Sequence, residues 1–365
     1  MALQCGIIGI TNVGKTTIFN CLSGTKVETS SFAFSATKSN VGIIQVPDPR
    51  LYELEKHQVT EKIVPTTVGI VDIPGLTRGA SRGEGVGNRF LADIRNTDAL
   101  IHVLRCFDDE TLPHVDGSVN PVRDIETVDL ELQIKDLESV EKKNERLAKA
   151  VRTGDKEAKR GMDVLTRVKE HLENLNNVRT LGLTEEDKKY VDDLFLLTAK
   201  PVMYVCNVDE KSVHTGNRYV EQVREYLRNT SAEILVIAGK LEAEIAELES
   251  MDDRLAFLHD AGLEEPGVDK LVRAAYKMLD LLTFFTVGPK EIRAWTIRKG
   301  MNAQQAAGVI HSDLERGFIR AEVMKYYDFV TLGSEHACRE AGKFYIEGKN
   351  YIVEDGDILH IRFNV

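Results

Sequence analysis

Lys15 and Thr16 are the residues most able to do chemistry in this sequence, because they end a glycine-containing phosphate-binding pattern. Residues 9–16 fit G-x-x-x-x-G-K-[ST], with an apolar segment before them and a helical pattern after them. In this pattern backbone N–H groups hold phosphate oxygens, the lysine reaches the β- and γ-phosphates, and the threonine hydroxyl binds Mg²⁺. The sequence therefore predicts a nucleoside triphosphate site that uses Mg²⁺.

A carboxylate suited to the same site follows a second apolar segment. Asp72 begins the pattern D-x-x-G, which ends at Gly75 and comes directly after residues 65–71. Downstream of a phosphate loop, we expect Asp72 to hold the Mg²⁺ shell and the Gly75 N–H to sense the γ-phosphate. The glycine-rich stretch 75–87 is then expected to be a nucleotide-sensing switch.

The segment 207–210 bears on the choice of base, because it follows an apolar run where GTPases carry N-K-x-D. Asn207 fits, but Val208 replaces the lysine and Glu210 replaces the aspartate that accepts the N1–H and N2–H₂ of guanine. A glutamate is one methylene longer and cannot occupy the same position. The selection of guanine should therefore be weakened, without GTP being forbidden.

These motifs require a scaffold of alternating strands and helices. Helices are predicted at 17–23 and 217–228, and strands at 4–8, 41–46, 65–72, 99–104, 201–206 and 233–237. Such alternation predicts a parallel sheet covered on both faces.

Residues 128–176 interrupt that pattern with apolar residues at helical spacing and charged residues between them. Gly154 lies in a polar turn, so we predict an inserted coiled-coil hairpin of two antiparallel helices. Basic residues flank the turn and exceed acidic ones by five: Lys142, Lys143, Arg146, Lys149, Arg152, Lys156, Lys159 and Arg160, against Glu145, Asp155 and Glu157. The tip is either a contact for a polyanion or a solvated end of the hairpin.

From residue 281 the apolar period shortens towards two. Paired strands are predicted at 283–287 and 293–297, a helix at 303–314, a hairpin at 344–353 and a last strand at 358–363. The pattern predicts a separate small α+β domain.

Composition narrows the class of protein. The 365 residues suggest two or three domains, and neither a membrane span nor a signal peptide is expected. Five cysteines without a C-x-x-C pair favour a reducing cytosol and argue against a structural metal site. A net charge of −11 makes the whole chain a poor nucleic-acid binder, so any RNA contact has to be local.

Over nearly its whole length the chain resembles the Obg-like ATPases of the YchF type. The resemblance rests on the N-V-x-E variant at 207–210 and on the segments GASRGEGVGN at 79–88, KLEAE at 240–244, GPKE at 288–291, AAGVIH at 306–311 and FNV at 363–365. It implies an α/β Ras-like P-loop G-domain with a helical insertion and a C-terminal TGS domain of the β-grasp type. It also implies ATP hydrolysis with GTP tolerated, and association with the ribosome.

The resemblance also implies domain boundaries and site residues. The G-domain is expected at 1–127 and 200–280, the helical insertion at 128–199 and the TGS domain at 281–365. Mg²⁺ ligands are expected from Thr16, Asp72 and Thr37, and catalysis from Lys15 and His114. Nucleotide contacts are expected from Asn12, Val13, Gly14, Lys15, Thr16, Thr17, Gly75, Asn207, Val208, Glu210, Ala238 and Gly239. A cytoplasmic monomer is expected, with ribosomal RNA bound at the hairpin tip or the TGS domain.

Three assignments depend on a comparison with better-known G-domains. Leu76 stands where Ras-like proteins carry a water-positioning glutamine, so another group must orient water. His114 resembles the family's candidate for that role, the alternative being a surface residue of a loop. Asn12 resembles the asparagine of K⁺-stimulated relatives, the alternative being a simple turn residue. Ala36 replaces the family's switch threonine, so either Thr37 takes its role through a shifted loop or the contact is lost.

Two other functions fit the same motifs. A nucleotide-gated binding module would bind ATP, switch and dock a partner with negligible hydrolysis, and Ala36 and Leu76 favour it. A GTP-preferring GTPase is the other alternative. A P-loop kinase fits poorly, because it has no use for D-x-x-G and N-x-x-E.

Overall fold

The strands and helices of the computed structural model follow the predicted alternation. The model describes residues 3–24, 39–76, 79–81 and 86–364. The strands are β1 Gln4–Ile8, β2 Asn40–Gln45, β3 Ile63–Val64, β4 Thr67–Asp72, β5 Ala99–Arg105, β6 Val202–Asn207, β7 Ile234–Ile237, β8 Leu281–Val287, β9 Ile292–Arg298, β10 Phe318–Lys325, β11 Tyr345–Glu347 and β12 Asp357–Phe363. The helices are α1 Lys15–Ser23, α2 Arg50–His57, α3 Val86–Arg95, α4 Pro121–Arg152, α5 Lys156–Glu173, α6 Glu185–Lys188, α7 Arg218–Leu227, α8 Gly239–Glu247, α9 Met251–Asp260, α10 Gly267–Met278, α11 Ala303–Ile310, α12 Ser312–Arg316, α13 Tyr326–Leu332 and α14 Glu335–Glu340.

The chain divides into two compact units. One consists of Met1–Gly42 and Gly69–Leu271, and the other of Ile43–Val68 and Val272–Val365. The second unit thus joins α2 and β3 to the C-terminal segment, which the sequence had suggested as a domain by itself. The helical hairpin belongs to the first unit, and the boundaries at 127, 199 and 280 stay predictions.

The first sheet positions the nucleotide motifs. Its strand order is β2-β4-β1-β5-β6-β7, in which β1 pairs in parallel with β4 and β5, β5 with β6, and β6 with β7. Ile7, Ile70, Ile101 and Val205 have no exposed surface, as expected of strands that are covered on both faces. The carboxyl ends of parallel strands meet at one edge, so Asp72, Arg105 and Asn207 are brought towards the loop that follows β1.

The inserted hairpin is built from α4 and α5, with its turn at 153–155 as predicted. Asn120 caps α4 by accepting a hydrogen bond from the N–H of Arg123 at 3.1 Å. The helix begins at Pro121, seven residues before the predicted start of the insertion at 128. Asp155 caps α5 by accepting from the N–H groups of Glu157 and Ala158. Val140, Leu165 and Val168 are buried between the helices and hold the hairpin together.

The second sheet has the order β11-β10-β12-β8-β9-β3. The predicted pairing of β8 with β9 is confirmed, and the two strands run antiparallel. The predicted hairpin at 344–353 is wrong, because β11 pairs with β10 and Ile352 forms a bridge with Asn302. The predicted single helix at 303–314 is two helices, which meet at His311, whose side chain caps the second.

Two smaller findings concern the cysteines and membranes. All five cysteines are free thiols, and Cys5, Cys106, Cys206 and Cys338 are buried. Among the described residues, no helix combines the length and the apolar character needed to cross a bilayer.

The predicted fold class, a P-loop G-domain with an inserted helical hairpin and a C-terminal sheet domain, is confirmed.

Candidate functional site

The phosphate-binding loop between β1 and α1 depends on glycine at two positions. Gly9 has a φ of +146°, and a Cβ there would lie 2.5 Å from the carbonyl oxygen of Val103. Gly14, at the N-terminus of α1, has a φ of +94°, and its Cβ would lie 2.3 Å from Nδ2 of Asn207. A larger residue at either position would push the loop away from Val103 or Asn207, so the glycines allow the loop to lie close to these residues.

Lys15 places a buried positive charge inside this loop. Its Nζ donates to the carbonyl oxygen of Ile10 at 2.5 Å, and the residue is 7% exposed. Burial lowers the pKa of Lys15 to about 8, and the nearby Asp72 opposes that shift. A buried ammonium is costly without anionic partners, so the site is suited to bind phosphate.

Thr16 and Asp72 form the oxygen-rich part of the site. The hydroxyl of Thr16 donates to Oδ2 of Asp72 at 3.0 Å, and Asp72 is 5% exposed. Oδ1 of Asp72 is buried and accepts no hydrogen bond from the described residues. Burial raises the pKa of Asp72, and Lys15 counteracts this. A hydroxyl beside an unpaired carboxylate oxygen is the donor set that Mg²⁺ prefers, so these residues fit the ion. Thr37 lies outside the described residues.

The D-x-x-G segment lies against the phosphate-binding loop. A Cβ on Gly75 would come within 2.8 Å of the backbone nitrogen of Thr11. The N–H of Leu76 donates to the carbonyl oxygen of Gly9 at 3.0 Å, and its side chain is buried. Leu76 therefore anchors the segment and offers nothing to orient water.

Asn207 connects the phosphate-binding loop to the start of α8. Its Nδ2 donates to the carbonyl oxygen of Val13 at 2.9 Å, and its Oδ1 accepts from the N–H of Gly239 at 2.9 Å. Ala238 and Val208 are buried beside it, and Thr17 follows in the first turn of α1. These contacts bring Val13, Gly14, Asn207, Ala238 and Gly239 together.

Glu210 is exposed, unlike Asn207 and Val208 of the same motif. Its side chain is 50% exposed, and Oε1 lies 3.9 Å from Nζ of Lys240. It therefore stands at the rim of this group, with a compensating positive charge nearby.

His114 lies in the loop between β5 and α4, and its side chain is almost completely buried. The N–H of Asp116 donates to Nδ1 at 3.1 Å, so Nε2 carries the proton and donates to Oδ2 of Asp124 at 3.1 Å. Nδ2 of Asn12 donates to the carbonyl oxygen of Pro113 at 3.1 Å, which holds this loop against the phosphate-binding loop. His114 is thus near the site, but both of its ring nitrogens are engaged.

Three residues of this region were not predicted from the sequence. Arg105, 2% exposed, donates to the carbonyl oxygens of Phe107, Asp109 and Leu112 and so holds the segment that leads to His114. Asp124 orients His114, and Glu131 accepts from the backbone of Gly79. The only signal in the sequence was an arginine at the end of an apolar strand.

Comparisons with known proteins agree with this geometry. Residues 4–156 match the family model described as "50S ribosome-binding GTPase". Residues 281–364 match the YchF-GTPase C-terminal model, described as "Protein of unknown function (DUF933)".

Full-length relatives are also similar. The chain is 46% identical to the ribosome-binding ATPase YchF of Bacillus subtilis and 46% identical to that of Haemophilus influenzae, covering 100% of both chains in each case. The solved structure of the Schizosaccharomyces pombe YchF GTPase has a TM-score of 0.87 and 33% identity, covering 99% of this chain and 98% of that one. The resemblance found from the motifs is confirmed: the chain belongs to the YchF family of P-loop nucleotide hydrolases.

Proposed function

We propose that this chain hydrolyses ATP to ADP and phosphate with Mg²⁺, tolerates GTP, and associates with the ribosome. The observation that carries the proposal is the assembly of Lys15, Thr16 and Asp72 at the N-terminus of α1, joined to Asn207 through Val13. The names of the bacterial relatives, which describe ribosome-binding ATPases, support it.

Lys15 would bind the β- and γ-phosphates in place of its present partner, the Ile10 carbonyl. Thr16 and Asp72 would hold Mg²⁺, which supplies charge neutralisation on the phosphates when bound. Thr37 is proposed as a third ligand on sequence grounds only. K⁺ at Asn12 is likewise a proposal from the family pattern.

His114 is the proposed group that takes a proton from the attacking water. Asp124 fixes the proton on Nε2, which leaves Nδ1 as the basic nitrogen. Nδ1 would have to exchange the N–H of Asp116 for the water, so catalysis requires the loop after Pro113 to shift. An arrangement of carboxylate, histidine and water is a common way to supply a general base.

Two observations about the residues expected to contact the nucleotide base support ATP as the substrate. Val208 is a buried apolar residue at the position of the lysine of N-K-x-D, and Glu210 is exposed and next to Lys240. Neither provides the short buried carboxylate that selects guanine.

The proposed ribosome contact is the tip of the hairpin formed by α4 and α5. Seven of its eight basic residues are exposed, and the exception is Lys143, which donates to the carbonyl oxygen of Tyr190 and pairs with Asp193. The exposed remainder is Lys142, Arg146, Lys149, Arg152, Lys156, Lys159 and Arg160, of which Arg160 pairs with Glu157. The C-terminal domain is the second candidate, and a cytoplasmic monomer is part of the proposal.

A nucleotide-gated binding module is the second candidate function. It is favoured by the engagement of both ring nitrogens of His114 and by the buried Leu76, because neither can then orient water. The two candidates share the nucleotide site and differ in turnover.

Calorimetry of ATP binding with Mg²⁺ and with a chelator tests the shared nucleotide site. We expect Mg²⁺ to tighten binding to the wild type and to have little effect on Asp72→Asn, because the unpaired carboxylate oxygen is then lost. Equal affinity of the wild type with and without Mg²⁺ would contradict the proposed metal ligands.

A further inference from the structure

Glu131 of α4 makes a contact that none of the motifs predicts. Its Oε1 accepts from the N–H of Gly79 at 2.6 Å, and its Oε2 accepts from the N–H of Ser81 at 2.7 Å. Glu131 is only 4% exposed. Charge-assisted hydrogen bonds of this kind are stronger than neutral ones, and a buried carboxylate that lost them would be left without compensation.

The backbone that Glu131 holds begins at Gly79, four residues after the end of the D-x-x-G pattern at Gly75. Gly75 lies against Thr11, and Leu76 is bonded to Gly9, so this end of the segment belongs to the nucleotide site. Gly79, with a φ of +84°, belongs to the glycine-rich stretch that follows. One carboxylate therefore fixes the segment shortly after it leaves the phosphate-binding loop.

Further contacts attach α3 to the same helix. Nζ of Lys135 donates to Oδ1 of Asn88 at 3.1 Å, and Nη2 of Arg95 donates to the hydroxyl of Ser139 at 3.1 Å. Both the start of the glycine-rich stretch and the helix after it are thus bonded to α4. That helix continues to the hairpin tip.

We propose that Glu131 is a positioning residue that couples the nucleotide site to the helical hairpin. Its carboxylate holds Gly79 and Ser81, so a displacement of α4 by a bound partner changes the position of the D-x-x-G segment, and a change at that segment acts on α4. The inference rests on the proposed function, because it takes the hairpin to be the ribosome-binding element.

Asp136 of the same helix is a matched control. It is fully buried, and its carboxylate accepts from the N–H groups of Leu197 and Thr198 at 2.7 Å each. Like Glu131, it therefore accepts two backbone N–H groups, but inside the insertion and not at the glycine-rich stretch, and it also accepts from the hydroxyl of Thr198.

The test compares Glu131→Gln with Asp136→Asn in the full chain. Each amide keeps one acceptor and turns an NH₂ group towards a backbone donor, so both variants should lose thermal stability. Phosphate release from ATP is measured with and without ribosomes, and hydrogen exchange is followed at the amides of Gly79 and Ser81. For Glu131→Gln we expect exchange at these amides to be faster by about tenfold or more, and the effect of ribosomes on turnover to be lost. Asp136→Asn should keep both wild-type behaviours.

A failure of this inference can be distinguished from a failure of the proposed function. If Glu131→Gln keeps the ribosome effect as Asp136→Asn does, Glu131 has only a structural role and the inference is overturned. If the wild type itself neither turns over ATP nor responds to ribosomes, the proposed function fails and the inference fails with it.

Discussion

Nε2 of His114 lies 3.1 Å from Oδ2 of Asp124, and the two side chains are 3% and 1% exposed. The carboxylate fixes the tautomer of the imidazole, because the N–H of Asp116 occupies Nδ1. Nδ1 is therefore the acceptor nitrogen, and the N–H of Asp116 in the same loop covers it. The proposed ATPase requires this nitrogen to be uncovered, whereas a passive binding module does not.

Replacing His114 should affect turnover more than binding. For His114→Ala we expect the turnover number to fall by about two orders of magnitude and the ATP dissociation constant to change by less than about threefold, because the side chain acts on water. Single-turnover kinetics and calorimetry measure the two quantities. Since the residue is buried, His114→Asn serves as a control of similar shape and thermal melting monitors folding. Unchanged turnover in a folded variant would leave His114 as a tether of its loop.

The nucleotide base should be selected weakly. ATP should bind at least as tightly as GTP, because Val208 and Glu210 replace the guanine-selecting residues. Glu210→Asp should shift the ratio of affinities towards GTP, since it shortens the carboxylate by one methylene. Competition calorimetry that gave GTP a tenfold advantage in the wild type, about 1.4 kcal/mol, would show that the base is read by other groups.

The affinity for ATP should fall as pH rises through the pKa of Lys15. Burial lowers that pKa to about 8 in the free protein, and bound phosphate favours the charged form, so binding above this pH must take up a proton. The affinity should be constant below about pH 7 and fall by about tenfold per pH unit above about pH 8 until the pKa of the complex is reached. Lys15→Arg stays charged, so its affinity, even if weaker, should show no such slope over the same range. A wild-type affinity independent of pH would contradict a buried, titrating Lys15.

The sequence predicted the first sheet well, because its strands are local apolar segments and its loops carry recognisable motifs. It failed for β10, in which the charged Glu322 is buried between Arg320 and Arg362. Without β10 as a candidate, β11 was paired with the segment that follows it in the chain. The pairing of strands depends on distant partners, and local periodicity does not report it.

The same distinction holds for the site. Lys15, Thr16, Asp72 and Asn207 lie in short patterns, so their roles could be predicted. The roles of Asp124 and Glu131 arise from contacts with loops outside their own helix, and Gly79 is 52 residues from Glu131 in sequence. Arg105 binds the carbonyl oxygens of the loop that follows its strand. A single charged residue in a helix carries no local signal that it will be buried against a loop.

Charge reversal at the hairpin tip should remove ribosome binding. Lys142, Arg152, Lys156 and Lys159 are exposed, and changing all four to Glu should abolish co-sedimentation with ribosomes while ATP turnover without ribosomes is retained. Lys143 is left unchanged because it is bonded to Tyr190.

A matched reversal of Lys188, Lys211, Arg224 and Arg228, which are exposed elsewhere on the first unit, controls for the change in net charge. Continued pelleting of the tip variant at the same salt concentration would move the contact to the C-terminal domain.

Steady-state phosphate release from ATP, measured with Mg²⁺ in the presence and absence of ribosomes, decides between the proposed ATPase and a nucleotide-gated binding module. We expect turnover by the wild type that Lys15→Ala lacks, because the buried ammonium is required to bind the phosphates. We also expect ribosomes to change the wild-type rate. Phosphate release by the wild type that is no faster than that of Lys15→Ala, with or without ribosomes, would rule out the proposed hydrolysis and favour the binding module.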